Sequence, residues 1–238
     1  MVPEKLINDF VERVRSAAGA NLKSVILYGS AAAGEYVPEH SDVNLMCVMG
    51  ETSFAAIAGL APVVEWWGKQ KHHPPLLMTV EELKRGADVF SIEFLDMKEN
   101  HRLLWGEDLL AGLEIPMKFH RAQVEYELRE KTILLRQRLL AVARDEGGKW
   151  ELLLRSLPAF GTLARHALLA LGETAAASKR EAVGRLAAKA GFDAGAFSQL
   201  FDVRERKLDR KSLNVDDVFA RYLKAVEGIT AVVDKMLD

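Results

Sequence analysis

Apolar residues near the amino terminus recur at three- and four-residue spacing. Leu6, Phe10, Val11 and Val14 share one side, which predicts an amphipathic helix ending near Ala18-Gly19. The pattern then shortens. Residues 24–28, Ser-Val-Ile-Leu-Tyr, form a β-rich run, Gly29, Gly34 and Pro38 punctuate the connection after it, and residues 43–49 form a second strand that Gly50 ends. A helix is expected over residues 54–60 and another around Val63-Val64-Glu65-Trp66-Trp67. A polar loop from Gly68 to Pro75 leads into the strand Leu76-Leu77-Met78. Thr79 and Glu82 have the spacing of a capping box, in which the threonine hydroxyl accepts from an early amide and the glutamate reaches back, so a helix continues to about Gly86. Residues 89–96, Val-Phe-Ser-Ile-Glu-Phe-Leu-Asp, read as one more strand.

Everything after about Pro116 is helical in period, which puts the boundary between two segments at Leu113-Glu114-Ile115-Pro116, with domains over 1–116 and 117–238. A long helix is expected over residues 119–143, broken by Gly147-Gly148. Further helices are expected over 150–171, interrupted or bent at Pro158, over 179–190, stopped by Gly191, and over 194–206. A last helix is capped within residues 212–217 and reaches Leu237. The fold class is α+β: a small mixed sheet with helices, followed by an all-α helical bundle.

Composition narrows the partners. With 238 residues and an apolar fraction of 49%, the chain can bury its cores without special staples. Its net charge of −2, from 32 basic and 34 acidic residues, supplies no global field for nucleic acid or an anionic membrane, so neither is expected as a partner. Cys47, the single cysteine, sits inside an apolar run and reads as a buried, inert thiol. No apolar stretch approaches the ~18 residues of a membrane span or the core of a signal peptide, and the expectation is a soluble, cytoplasmic protein. The sequence leaves a homodimer open.

The chemistry concentrates where the two first strands meet. An apolar run ends in Gly29-Ser30, and after eleven intervening residues comes Asp42-Val43-Asn44-Leu45. On a strand, positions two apart share a face, so Asp42 and Asn44 point one way while Val43 and Leu45 point into the core. Carboxylate and amide oxygens suit a divalent cation such as Mg²⁺, and turn amides beside a glycine suit an anion. This combination resembles the polymerase β-like nucleotidyltransferase superfamily, whose pattern is Gly-Ser, about ten residues, then Asp-x-Asp. In layout it is nearest to the aminoglycoside adenylyltransferases with a helical C-terminal domain.

The resemblance implies that Gly29 and Ser30 cradle the triphosphate of ATP or another nucleoside triphosphate. Asp42 and Asn44 hold Mg²⁺, and a third carboxylate from a later strand acts as ligand or general base. Glu93 is that residue in the resemblance. Asp96, three positions on, falls on the opposite face of an undistorted strand. The metal set is then Asp42, Asn44 and Glu93, the catalytic pair Asp42 and Glu93. The implied reaction passes a nucleoside monophosphate to a hydroxyl of a small molecule or a protein. Two departures stand out: Asn44 replaces the second aspartate, and Ala31-Ala32-Ala33 stands where many relatives carry an arginine or lysine. A unit-charge attraction at 4 Å is worth about 4 kcal/mol at an effective dielectric near 20, so losing one carboxylate weakens metal-assisted transfer. The alternative is a catalytically inactive nucleotide sensor or an antitoxin-like, partner-binding protein.

Other residues have plainer readings. His72-His73 precede Pro74-Pro75 and read as a solvated loop; His101, His120 and His166 read as surface or core singletons; Trp66-Trp67 reads as core. The turn Gly106-Glu107-Asp108 reads as surface. Arg129, Lys131, Arg136 and Arg138, like the basic residues 204–211, are expected to pair with neighbours such as Glu127, Glu130 and Glu205.

Overall fold

The computed structural model describes residues 3–34 and 42–235. Pro38 and Ser41, part of the connection between the first two strands, and the expected helix end at Leu237 lie outside them. The chain divides into two compact units, Met1–Pro116 and Met117–Asp238.

In the first unit, helix α1 (Glu4–Ala18) precedes strand β1 (Leu22–Tyr28) and strand β2 (Asn44–Met49). Helices α2 (Phe54–Gly59) and α3 (Ala61–Lys69), strand β3 (Leu76–Thr79), helices α4 (Val80–Arg85) and α5 (Ser91–Glu99), and strand β4 (His101–Gly106) come next. The strands form one mixed sheet in the order β3-β2-β1-β4. β2 and β4 run antiparallel to β1, and β3 runs parallel to β2.

Strand alternation sorts the core into two layers. Val25, Leu27, Val43, Leu45, Cys47 and Met49 pack with Ile7, Phe10, Val14 and Trp67 from α1 and α3. Ile26, Met46 and Val48 turn to the other face and pack with Leu83, Phe94, Met97, Leu110 and Leu113. Both central strands are therefore buried on two sides, which explains why they read as nearly continuous apolar runs. Cys47 lies inside the first layer, where burial pushes its thiol up to about 12 and keeps it inert.

Two local features match the sequence closely. Thr79 Oγ1 accepts from the Glu82 amide at 3.0 Å while Glu82 Oε2 accepts from the Thr79 amide at 2.7 Å, closing the capping box. Gly106, at φ 87°, is required where β4 ends, because a Cβ there would stand 2.1 Å from the Lys23 carbonyl oxygen.

One element corrects the sequence reading. Residues 89–96, expected as a strand, enter helix α5, and the strand that pairs with β1 is β4, just beyond it. Ile92 and Phe94 alternate as a strand would, yet Ser91, Phe94 and Met97 bury at helical spacing.

The second unit is helical: α6 (His120–Val142), α7 (Glu146–Ala170), α8 (Lys179–Ala190), α9 (Gly195–Arg204) and α10 (Val215–Asp234). α7 is central, touching the other four. It runs through Pro158 and takes Gly147-Gly148 into its first turn, so the expected glycine break falls earlier, between Val142 and Glu146. Tyr222 is buried between Phe160 and Phe197 and shares a hydrogen bond with Ser156 at 3.1 Å. Asn214 caps α10 by accepting from the amides of Asp216 and Asp217. Three basic residues of α6 lie in surface pairs, Arg129 with Glu125 and Asp234, Arg136 with Glu227, and Lys131 with Glu127. His120 and His166 are buried side by side, their rings 5.1 Å apart. Among the described residues no helix is long and apolar enough to cross a membrane.

Candidate functional site

The site forms where β1 gives way to a tight turn. Tyr28 ends β1 in extended conformation, and Gly29 then takes φ 76°, a left-handed geometry open to glycine at little cost. The chain closes a single 3₁₀ turn over Gly29–Ala31, with the Gly29 carbonyl accepting from the amides of Ala32 (2.9 Å) and Ala33 (3.0 Å). The Gly29 amide donates to the Asn100 carbonyl at 3.0 Å, fastening the turn to the start of β4. Ser30 is half-buried at the second position of the turn.

Asn44 opens β2 opposite Tyr28. A Cβ built on Gly29 would meet Asn44 Nδ2 at 3.3 Å, so the carboxamide lies against the glycine backbone. Val43 and Leu45, as expected, turn into the core shared with α1 and α3. Gly29, Ser30 and Asn44 are thus brought together, with Asp42 two residues ahead of Asn44 and its carboxylate 62% exposed.

Glu93 occupies the first turn of α5 and is exposed; Asp96, on the same helix, is half-buried. Because residues three apart on a helix share a face, the alternation that would separate Glu93 from Asp96 does not apply. Among the described residues no three His, Cys, Asp or Glu side chains gather as a self-contained metal centre. The donor set at Asp42 and Asn44 still fits Mg²⁺, which is usually held by one or two carboxylates and completed by water and phosphate oxygens.

Two histidines that read as bland in sequence stand beside this site. His73 Nε2 lies 3.8 Å from Asp42 Oδ1, in what the sequence reads as a solvated loop. Its neighbour His72 stacks on Trp67 with ring centroids 4.3 Å apart, and the Trp67 indole N–H donates to the His73 carbonyl at 2.9 Å. Burial holds His72 below the ordinary histidine value, with Asp42 opposing and His73 adding to the shift.

On the far side, His101 opens β4 opposite Tyr28, so Asn44, Tyr28 and His101 form one row across three strands. His101 Nε2 is 3.0 Å from Asp108 Oδ1, and Nδ1 is 3.0 Å from the Lys98 carbonyl oxygen. Both ring nitrogens thus stand within hydrogen-bond distance of oxygens. Burial works against the Asp108 carboxylate, but the Ala111 amide, the His101 ring and the Leu110 amide outweigh it and hold its pKa below the usual value. Burial alone raises Tyr28. The spacing His101 to Asp108, a strand followed by a turn, is the one sequence signal for this pair.

A mixed four-stranded sheet covered by helices, a left-handed glycine turn at the end of its first strand and a following helical unit define an α+β architecture. Among solved structures the chain is similar to that of the spectinomycin adenyltransferase AAD(9) from Enterococcus faecialis with ATP and spectinomycin. The TM-score is 0.58 and the identity 14%, over 97% of this chain and 99% of that one. At that identity the likeness carries the fold. No protein-family model matches the chain, and no curated protein matches it either.

Proposed function

We propose that this chain is a nucleotidyltransferase, which binds ATP or another nucleoside triphosphate with Mg²⁺ and transfers the nucleoside monophosphate to a hydroxyl of a small molecule or a protein. The observation that carries the reading is the Asn44 carboxamide packed on left-handed Gly29, with the exposed Asp42 carboxylate two residues ahead. The whole-chain likeness to an adenyltransferase solved with ATP supports it.

Each residue has a role. Gly29 lets the backbone approach the phosphates, and Ser30 donates its hydroxyl to a phosphate oxygen. Asp42 holds the metal and Asn44 assists through a neutral carbonyl. Bound there, Mg²⁺ would neutralise charge on the α-phosphate and on departing pyrophosphate. Glu93 takes the proton of the attacking hydroxyl as its oxygen bonds to the α-phosphorus and the bond to the β-phosphate oxygen breaks. Incubation with α-labelled ATP or GTP, Mg²⁺ and a panel of hydroxyl acceptors tests this. Label should move to an acceptor with the native chain and not with Asp42→Ala.

A second reading, a nucleotide sensor or antitoxin-like binding protein without transfer activity, draws on Asn44 standing where a second carboxylate belongs. Retained nucleotide binding with no label transfer to any acceptor favours it.

A further inference from the structure

We propose that the His72-His73 segment forms part of the nucleotide site, with the His73 imidazole donating a hydrogen bond to a phosphate oxygen of the metal nucleotide held at Asp42. The inference rests on the nucleotide-binding reading and adds a residue to it.

Three observations carry it. First, His73 Nε2 and Asp42 Oδ1 are 3.8 Å apart, and the two side chains are 77% and 62% exposed, so a ligand reaching Asp42 from solvent meets the imidazole as well. Second, the segment is tethered. Trp67 is completely buried, packs on Phe10 at 4.8 Å, stacks on His72 and holds the His73 carbonyl through its indole N–H. Histidine in a loop fixed to the core loses less entropy on binding than one on a free loop.

Third, β3 meets β2 from the Met46–Leu76 pair onward, and continuing that parallel register backwards brings His72 level with Asp42. Pro74 and Pro75 lie between, and lacking amide hydrogens they cannot donate to a longer ladder. The sheet therefore stops pairing beside Asn44, and His73 sits at that opening. Nε2 bears a hydrogen in the imidazolium and in one neutral tautomer, so donation does not depend on titration. The turn at Gly29 itself runs into Ala31-Ala32-Ala33, which offer no basic side chain.

Calorimetry on the full chain with Mg²⁺ tripolyphosphate, which carries the phosphates without a base, tests this alongside Mg²⁺-ATP and adenosine. Loss of a charge-assisted hydrogen bond predicts that His73→Ala weakens tripolyphosphate and ATP by about tenfold. His73→Gln, which keeps an N–H donor, should recover part of the loss, and adenosine binding should not change. Unaltered circular dichroism and urea midpoints certify the fold; were His73→Ala to fail to fold, His73→Gln set against His73→Leu decides. Tripolyphosphate affinity within about twofold of the native chain in His73→Ala, while Asp42→Ala still abolishes binding, overturns the inference and leaves the nucleotide reading standing. An equal loss in Lys71→Ala assigns the effect to general charge and overturns it too. If the native chain binds neither ligand, both readings fall.

Discussion

The first unit holds two histidine–aspartate pairs on either side of one glycine turn, and they are built for different ends. His101 and Asp108 meet at 3.0 Å, the histidine side chain 12% exposed and both its nitrogens engaged. Asp108 also accepts from the Ala111 amide at 3.0 Å. Both ring nitrogens and the Asp108 carboxylate have partners within the fold. Asp42 and His73 meet loosely at 3.8 Å with both heads in solvent, and their capacity for ligands is largely unspent. A satisfied pair fastens the strand end on which the turn rests, whereas the open pair is available to something the chain binds.

The largest effect expected is on chemistry at the open pair. Asp42→Ala should lower nucleotidyl transfer by on the order of 100-fold or more, as removal of a group stabilising transition-state charge commonly does. Its urea midpoint should stay within error, since the side chain is mostly exposed. Steady-state transfer and urea unfolding on one preparation measure both, and a large stability loss would contradict the contrast.

At the closed pair the weights reverse. Asp108→Asn should cost about 1 to 2 kcal/mol of unfolding free energy, at the lower end for a charged hydrogen bond because the aspartate is about one-third exposed. The sign of the pH effect is set by the depressed carboxylate. A folded pKa below the unfolded value gives stability that is present above the ordinary carboxyl range near 4 and lost as pH falls through the folded value. The gap in urea midpoint between native chain and Asp108→Asn should hold steady above about pH 5 and shrink below about pH 4.

How much of this contrast was legible in the chain depended on range. β1 and β2 showed themselves because each is a short apolar run that a glycine ends, and the Thr79–Glu82 box and a cap within residues 212–217 because a cap is complete within about four residues. β4 did not, since its residues do not alternate between buried and exposed, and its pairing with β1 is made by residues more than seventy positions away. The third carboxylate was misplaced onto a strand for the same reason: short apolar runs such as residues 89–96 suit either period, and packing on Ile26 and Met46 decided for the helix. Asp42 and His73 become neighbours through the parallel β2–β3 pairing, a long-range event that neither residue type announces.

Asn44 tests whether the open pair works below its capacity. Asn44→Asp restores a carboxylate two residues from Asp42 and should raise Mg²⁺-dependent transfer by about tenfold, since even half of a 4 kcal/mol interaction exceeds the 1.4 kcal/mol of one decade. The added acid also repels Asp42 when no metal is bound, so without Mg²⁺ the variant should be slightly less stable than the native chain and with Mg²⁺ slightly more. Thermal unfolding with EDTA and with Mg²⁺ reads that crossover, and its absence would remove the metal from the account.

The smallest effect expected lies in the tether. Trp67→Phe keeps an aromatic ring between Phe10 and His72 but deletes the indole N–H that holds the His73 carbonyl. The lost hydrogen bond and reduced packing should cost about 1 kcal/mol or somewhat more in urea. The looser loop should weaken tripolyphosphate binding by less than His73→Ala does, about two- to threefold, because the imidazole remains and only its placement degrades. A phosphate affinity untouched by Trp67→Phe, together with a normal His73→Ala effect, would show that His73 needs no tether. The open pair would then differ from the closed one in exposure alone.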